Sequence, residues 1–145
     1  MYFDTKAKVR YGETDQMGVV YHANYIPYFE LGREALLEAM GMPYSAIEEA
    51  GFMSPVVDVY AKYGSPLKYG DTAVIRTRVT KNGATKTVYS YQIFSEGMDL
   101  DNDTPLVTGY STHCLVDAET FKPVSIKRSL PELFAKYQEI VEPQE

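Results

Sequence analysis

Residues 11–25 read Tyr-Gly-Glu-Thr-Asp-Gln-Met-Gly-Val-Val-Tyr-His-Ala-Asn-Tyr, which sets one carboxylate, Asp15, in a turn-like stretch between Gly12 and Gly18. Just beyond it the apolar spacing becomes helical: Ile26, Phe29, Leu36 and Met40 share one face, widened by Leu31 and Ala35. The first backbone N–H groups of a helix have no partner within it. Reinforced by the helix dipole, they polarise a carbonyl or hold a developing oxyanion, and one such donor is typically worth roughly 3–4 kcal/mol of barrier. A carboxylate beside that carbonyl can attack it or activate a water against it. The chemistry implied is acyl transfer, with Tyr11 and His22 bracketing Asp15 to orient the carboxylate, the water or the leaving group. The same pattern also describes an aspartate that merely caps a helix or closes a turn. Taken alone, these residues leave both readings open.

The surrounding pattern supplies the elements that must position them. Residues 6–11 read as a first strand, Ala7, Val9 and Tyr11 alternating with Lys6, Lys8 and Arg10. The long helix is expected from about residue 22 to residue 40, with Pro27 in its first turn and Gly41 as its stop. A short helix follows over 45–51, with Ser45 and Glu48 as a capping box and Gly51 after it. Strands are expected over 55–63, 72–81, 85–94 and 106–116. Asn82-Gly83 signals a type I′ hairpin, and a polar loop fills 96–104. Ser129 and Glu132 suggest a second capping box opening a C-terminal helix, with Pro131 in its first turn. A sheet of this kind buries one face, and the long helix is the element available to cover it, giving an α+β domain. Open strand edges then favour a second subunit, so a homodimer is the expected minimum.

Composition narrows the class. At 145 residues, 45% apolar and 23% charged, residues 1–145 are expected to form a single domain. No stretch nears the ~20 apolar residues of a membrane span, and residues 1–6 lack the apolar core of a secretory signal. The lone cysteine, Cys114, allows no internal disulfide and points to a reducing cytoplasm. A net charge of −6 argues against a general nucleic-acid binder, although a local Lys/Arg cluster still permits a phosphorylated ligand. Gly109, Ser111 and His113 form an incomplete nucleophile elbow and read as an ordinary strand. Asp99, Asp101 and Asp103 begin a calcium loop that lacks its later ligands, and the two histidines have no zinc-type spacing.

The segment 11–25 resembles the signature of the 4-hydroxybenzoyl-CoA thioesterase/YbgC-like branch of the hotdog superfamily, roughly Tyr-x-x-Thr-Asp-x-x-Gly-Val-Val-Tyr-His-x-x-Tyr. Residues 62–71, Lys-Tyr-Gly-Ser-Pro-Leu-Lys-Tyr-Gly-Asp, and the turn from Val116-Asp117 to Lys122-Pro123-Val124 resemble two further family stretches. The resemblance spans nearly the whole chain. It implies a hotdog fold, an antiparallel sheet wrapped around one long central helix. The implied activity is hydrolysis of an acyl thioester of CoA, or of acyl carrier protein, with no metal or organic cofactor. By position Asp15 matches the catalytic carboxylate, as nucleophile or general base, and Tyr11 and His22 match two further site residues. The His22 N–H lies where the thioester carbonyl is polarised. Gly18 would permit the tight approach to the helix and Asn24 would secure its first turn. Lys68 and Arg128 become contacts for CoA phosphates, and a homodimer or homotetramer would form a cleft between subunits. A hotdog hydratase or dehydratase and a non-catalytic acyl-CoA-binding module are the rival readings. Acyl preference would rest on pocket residues such as Phe29, Met40 and Tyr63.

Overall fold

A computed structural model describes residues 1–142. The chain begins with strand β1 (Tyr2–Lys8) and runs through two short 3-10 turns into helix α1 (Tyr25–Ala39) and helix α2 (Tyr44–Glu49). Strands β2 (Phe52–Met53), β3 (Val56–Tyr63), β4 (Thr72–Asn82), β5 (Lys86–Ser95), β6 (Val107–Cys114) and β7 (Val116–Asp117) follow. Helices α3 (Ile126–Ser129) and α4 (Pro131–Ile140) close the described chain. The main sheet is antiparallel in the order β1-β4-β5-β6-β3, with β2 and β7 forming a separate small ribbon. This is the expected α+β hotdog architecture, with α1 lying across the inner face of the sheet.

The register explains the core. On β4, Ala73, Ile75, Thr77 and Val79 are buried, and on β5 so are Tyr89, Tyr91 and Ile93. These side chains alternate along their strands and meet Tyr25, Tyr28, Phe29, Leu36 and Leu37 of α1. The buried stripe of α1 keeps Phe29 and Leu36 of the expected face, with Ile26 and Met40 packed at its margin, and widens toward Tyr25, Tyr28 and Gly32 rather than toward Leu31, which is exposed. Gly32 sets the closeness of the contact. A Cβ there would come within 2.3 Å of Thr77 Oγ1 and 2.8 Å of Ile75 Cγ2, so its absence lets the helix approach the sheet. Gly109 plays the matching part on β6, where a Cβ would meet Phe29 Cζ at 2.6 Å. Phe29 instead stacks on Tyr91, ring centroids 4.5 Å apart.

Local signals were less faithful than the periodicity. The first strand starts and stops earlier than its alternation suggests, because residues 11–13 turn away as a 3-10 helix. Ser45 lies inside α2, whose extended N-cap is Pro43, and Ser129 ends α3. The residue that does cap α3 is Ser125, whose hydroxyl accepts the Arg128 N–H at 3.3 Å. The β4–β5 connection spans three residues, 83–85, and neither Asn82 nor Gly83 adopts the positive φ of a type I′ turn. A bulge between Val79 and Lys81 shifts the register, and the Asn82 amide is drawn to Phe134 O and Gln138 Oε1.

Candidate active site

The turn carrying Asp15 is a small hairpin closed on itself. Thr14 and Val20 pair as an antiparallel bridge, Asp15 N donates to Val19 O at 2.9 Å, and Gly18 N returns to Asp15 O at 3.0 Å. Gly18 has φ +77°, a conformation that favours glycine. The Asp15 carboxylate accepts the Met17 N–H through Oδ1 at 2.8 Å, an Asx turn that fixes one oxygen and leaves Oδ2 for other partners. The far limb of the hairpin is tied to the rest of the fold by Val20 N to Leu67 O, 2.8 Å, and by the bridge between Val19 and Lys68.

A second set of bonds fixes this hairpin to the start of α1. The Glu13 backbone oxygen accepts both Tyr21 N and Asn24 Nδ2 at 2.9 Å, so Asn24 anchors the preceding turn rather than capping its own helix. Glu13 Oε1 accepts Arg10 N at 2.7 Å and the Tyr28 hydroxyl at 3.0 Å. Burial and this carboxylate push the Tyr28 phenol well above its ordinary value, so it stays a donor. Sequence reasoning passed over Glu13 and Tyr28; the only signal was an acidic residue inside the motif and a tyrosine on the apolar stripe.

The two anchors place Asp15 and His22, the first residue of the 3-10 turn His22–Asn24, in the wall of one cleft, about 170 Å³, with Val19, Tyr25, Tyr63 and Pro66. The Asn24 N–H bonds Tyr21 O, and the Tyr25 N–H reaches back to Ala23 and His22, which leaves the first amides of the turn, at His22 and Ala23, without intrahelical acceptors. Tyr63 OH donates to His22 O at 3.1 Å, and the His22 ring lies 4.5 Å from Tyr21 and 6.0 Å from Tyr63. Tyr25 OH accepts Leu67 N at 3.2 Å. A carboxylate, the first residue of the helix-entry turn and an aromatic wall thus share one recess, an arrangement able to bind a carbonyl and direct an oxygen nucleophile at it.

The other expected residues divide. Tyr11 is 77% exposed, packs its ring against Tyr69 at 5.7 Å and does not line the cleft. Lys68 is exposed beside the cleft through its bridge to Val19. Arg128, exposed on α3, stands outside the cleft wall. Phe29 and Tyr63 line cavities between α1 and β3, whereas Met40 packs against the core at the far end of the helix. Cys114 is half-buried. The Asp99 carboxylate accepts Asp101 N, Asn102 N and Asn102 Nδ2, which holds it below the usual carboxylate range within its own loop. Among the described residues no three His, Cys, Asp or Glu side chains form a metal-binding group, and no helix is long and apolar enough to cross a membrane.

Ser111 and His113 are buried on β6. Arg33 of α1 donates to His113 Nδ1, His113 Nε2 lies 2.8 Å from Ser111 Oγ, and Ser111 Oγ lies 2.6 Å from the Tyr91 hydroxyl. Burial, and then the Arg33 charge, push His113 down to about 3, so the ring is neutral.

Residues 9–134 match the thioesterase-like superfamily. The chain is 43% identical over 131 residues to the putative acyl-CoA thioesterase YneP of Bacillus subtilis, covering 90% of this chain and 91% of that protein. It is 26% identical over 128 residues to the acyl-CoA thioester hydrolase YbgC of Escherichia coli, covering 88% and 92%. A DHNA-CoA thioesterase from Staphylococcus aureus superposes with TM-score 0.88 at 33% identity, over 95% of this chain and 89% of that one.

Proposed function

The chain belongs to the thioesterase-like superfamily as a hotdog acyl-CoA thioesterase, and on that footing we propose how its residues carry the hydrolysis. The thioester carbonyl lies against the His22 and Ala23 amides at the entry to α1, where the helix dipole and two donors stabilise the oxyanion. Asp15, with Oδ1 held by Met17 N, presents Oδ2 to that carbonyl, either attacking it or drawing a proton from water that does. His22 orients the leaving group from the same cleft. Tyr11 acts on Asp15 only through the turn, since its hydroxyl-bearing ring lies against Tyr69. Lys68, exposed beside the cleft, meets a CoA phosphate; Arg128 would do so only across a subunit boundary. The working form is a homodimer built on the apolar β3 edge, acting in a reducing cytoplasm where Cys114 stays a thiol.

The observation that carries this reading is the cleft that Asp15 shares with His22, the first residue of the turn at the entry to α1. A thiol-release assay over short, long and aromatic acyl-CoAs tests it on wild type and Asp15→Asn. Release by wild type that the variant loses supports it, and no panel member turned over faster by wild type than by the variant overturns it. Rapid-quench digestion then separates the two roles of the carboxylate. An acylated Asp15 peptide marks direct attack, and its absence during turnover marks water activation.

A further inference from the structure

Three recesses queue along one side of α1. The first is the Asp15 cleft, walled by Tyr25 of the helix and Tyr63 of β3. The second lies between Ile26, Phe29, Glu30 and Arg33 of the helix and Val56 and Val59 of β3, with Glu30 exposed at its rim. The third lies beyond Arg33, against Tyr44, Ser54 and Pro55. Later residues of the helix thus face earlier residues of the strand, and the recesses follow one line. At a rise of about 1.5 Å per residue, Arg33 stands roughly 12 Å along the axis from Tyr25. Its side chain leans back toward the helix N-terminus and shortens that distance.

The Arg33 guanidinium on this line is short of hydrogen-bond acceptors within the fold. Arg33 is 7% exposed and can only donate. One guanidinium nitrogen, Nη1, serves His113 Nδ1 and reaches Ser54 O at 3.5 Å, while Nε has no partner among the described residues. No carboxylate of the described residues forms an ion pair with it; its charge rests over the rings of Tyr44 and Tyr89, 4.7 Å and 5.9 Å from their centroids. Because Arg33 donates to Nδ1, the proton of neutral His113 sits on Nε2 and goes to Ser111 Oγ. Ser111 and Tyr91 then share one hydrogen bond between two hydroxyls, so one O–H is left over. Both residues line the second recess. A buried donor without an acceptor is costly, and a charged one more so. The cluster ends in two donors and a positive charge.

We propose that this cluster is the floor of the acyl pocket and selects acyl groups whose distal end carries an acceptor oxygen, a carboxylate or a ring hydroxyl, over plain hydrocarbon tails. The assignment rests on the thioesterase reading above. The Arg33 Nε–H and the spare hydroxyl bind the oxygen, and the aromatic pair Phe29 and Tyr91 flanks the chain leading to it.

Matched pairs test it: octanoyl-CoA against its ω-carboxy counterpart, and naphthoyl-CoA against a ring-hydroxylated form. In wild type at least one oxygenated member is expected to exceed its plain partner in kcat/KM by roughly tenfold or more, since an analogue lacking the oxygen leaves buried donors unpaired. The pair that responds identifies the source of the oxygen. Arg33→Met should bring that ratio to about one and Ser111→Ala should lower it. Equal or reversed ratios in both pairs overturn the assignment, as does a preference that survives Arg33→Met. If no member releases thiol the thioesterase reading falls, and the free acids still test the floor. The oxygenated acid should then raise the wild-type Tm more than its plain partner, and an equal rise overturns the proposal. The wild-type ratio and Ser111→Ala keep the test intact if Arg33→Met does not fold.

Discussion

Asp15 sits where a turn and the proposed reaction make compatible demands. Its Oδ1 holds the Met17 amide, and an asparagine carbonyl would hold it equally well. Asp15→Asn is therefore expected to fold with unchanged thermal stability while losing roughly 10²–10⁴-fold in kcat, the usual worth of an acid–base group. A parallel collapse of Tm would mean that the carboxylate is structural. His113 gives a second prediction. Its native value of about 3 lies below the ordinary 6.5, so between these the unfolded chain binds the proton and stability rises with pH. The His113 contribution is fully present above the unfolded value of 6.5 and is lost at up to about 1.4 kcal/mol per unit as pH falls from there toward about 3. Urea unfolding at pH 7, 6 and 5 should show this slope in wild type and a flatter one in His113→Gln. That Asp15 and His22 share one cleft is legible because a long motif brackets them. Arg33, His113 and Tyr91 were not, because three polar residues 80 positions apart at the extremes become one network only when α1 lies on the sheet.

The long helix and the order of the strands could be read from periodicity alone, since burying one face is a demand that every turn of the pattern repeats. The glycine stops were legible too, since Gly41 and Gly51 end their helices with positive φ, but the N-caps and the hairpin turn were not. Ser45 and Ser129 had the right neighbours for capping boxes, and Asn82-Gly83 for a tight hairpin. Pro43, Pro131 and the bulge after Val79 nonetheless set where those elements begin and end. The sharpest element-level constraint was also silent: Gly32 reads as a weak helix residue until Thr77 and Ile75 are seen beneath it. Alanine there gains up to ~1 kcal/mol of helix propensity. It also drives a methyl group into two short branched side chains of a buried strand, an overpacking that costs about 1–3 kcal/mol. The net effect expected for Gly32→Ala is a lower Tm, whereas glycine-to-alanine at an open helical position raises it. A calorimetric scan decides between these signs.

The two edges of the sheet are built for opposite ends. β1, an edge strand, carries the charged Asp4, Lys6 and Lys8 on its outward face, charges of the kind that keep edges from pairing. β3 carries Val-Val-Asp-Val-Tyr-Ala-Lys-Tyr and leaves Val56, Val57, Val59 and Tyr60 exposed, with Tyr60 stacked on Tyr110 in the same patch. The recess that would hold the acyl chain opens between this strand and α1, so a second copy on β3 would close the pocket as well as the sheet. Association and activity are then one property. Val57→Asp with Tyr60→Lys changes the edge without touching a cleft residue. It is expected to halve the mass seen by light scattering and to reduce thiol release at the same concentrations. The loss should ease as protein concentration rises, because a weakened dimer re-forms by mass action. An unchanged mass would move the subunit contact away from β3. A monomer with full activity would show that one chain alone completes the site.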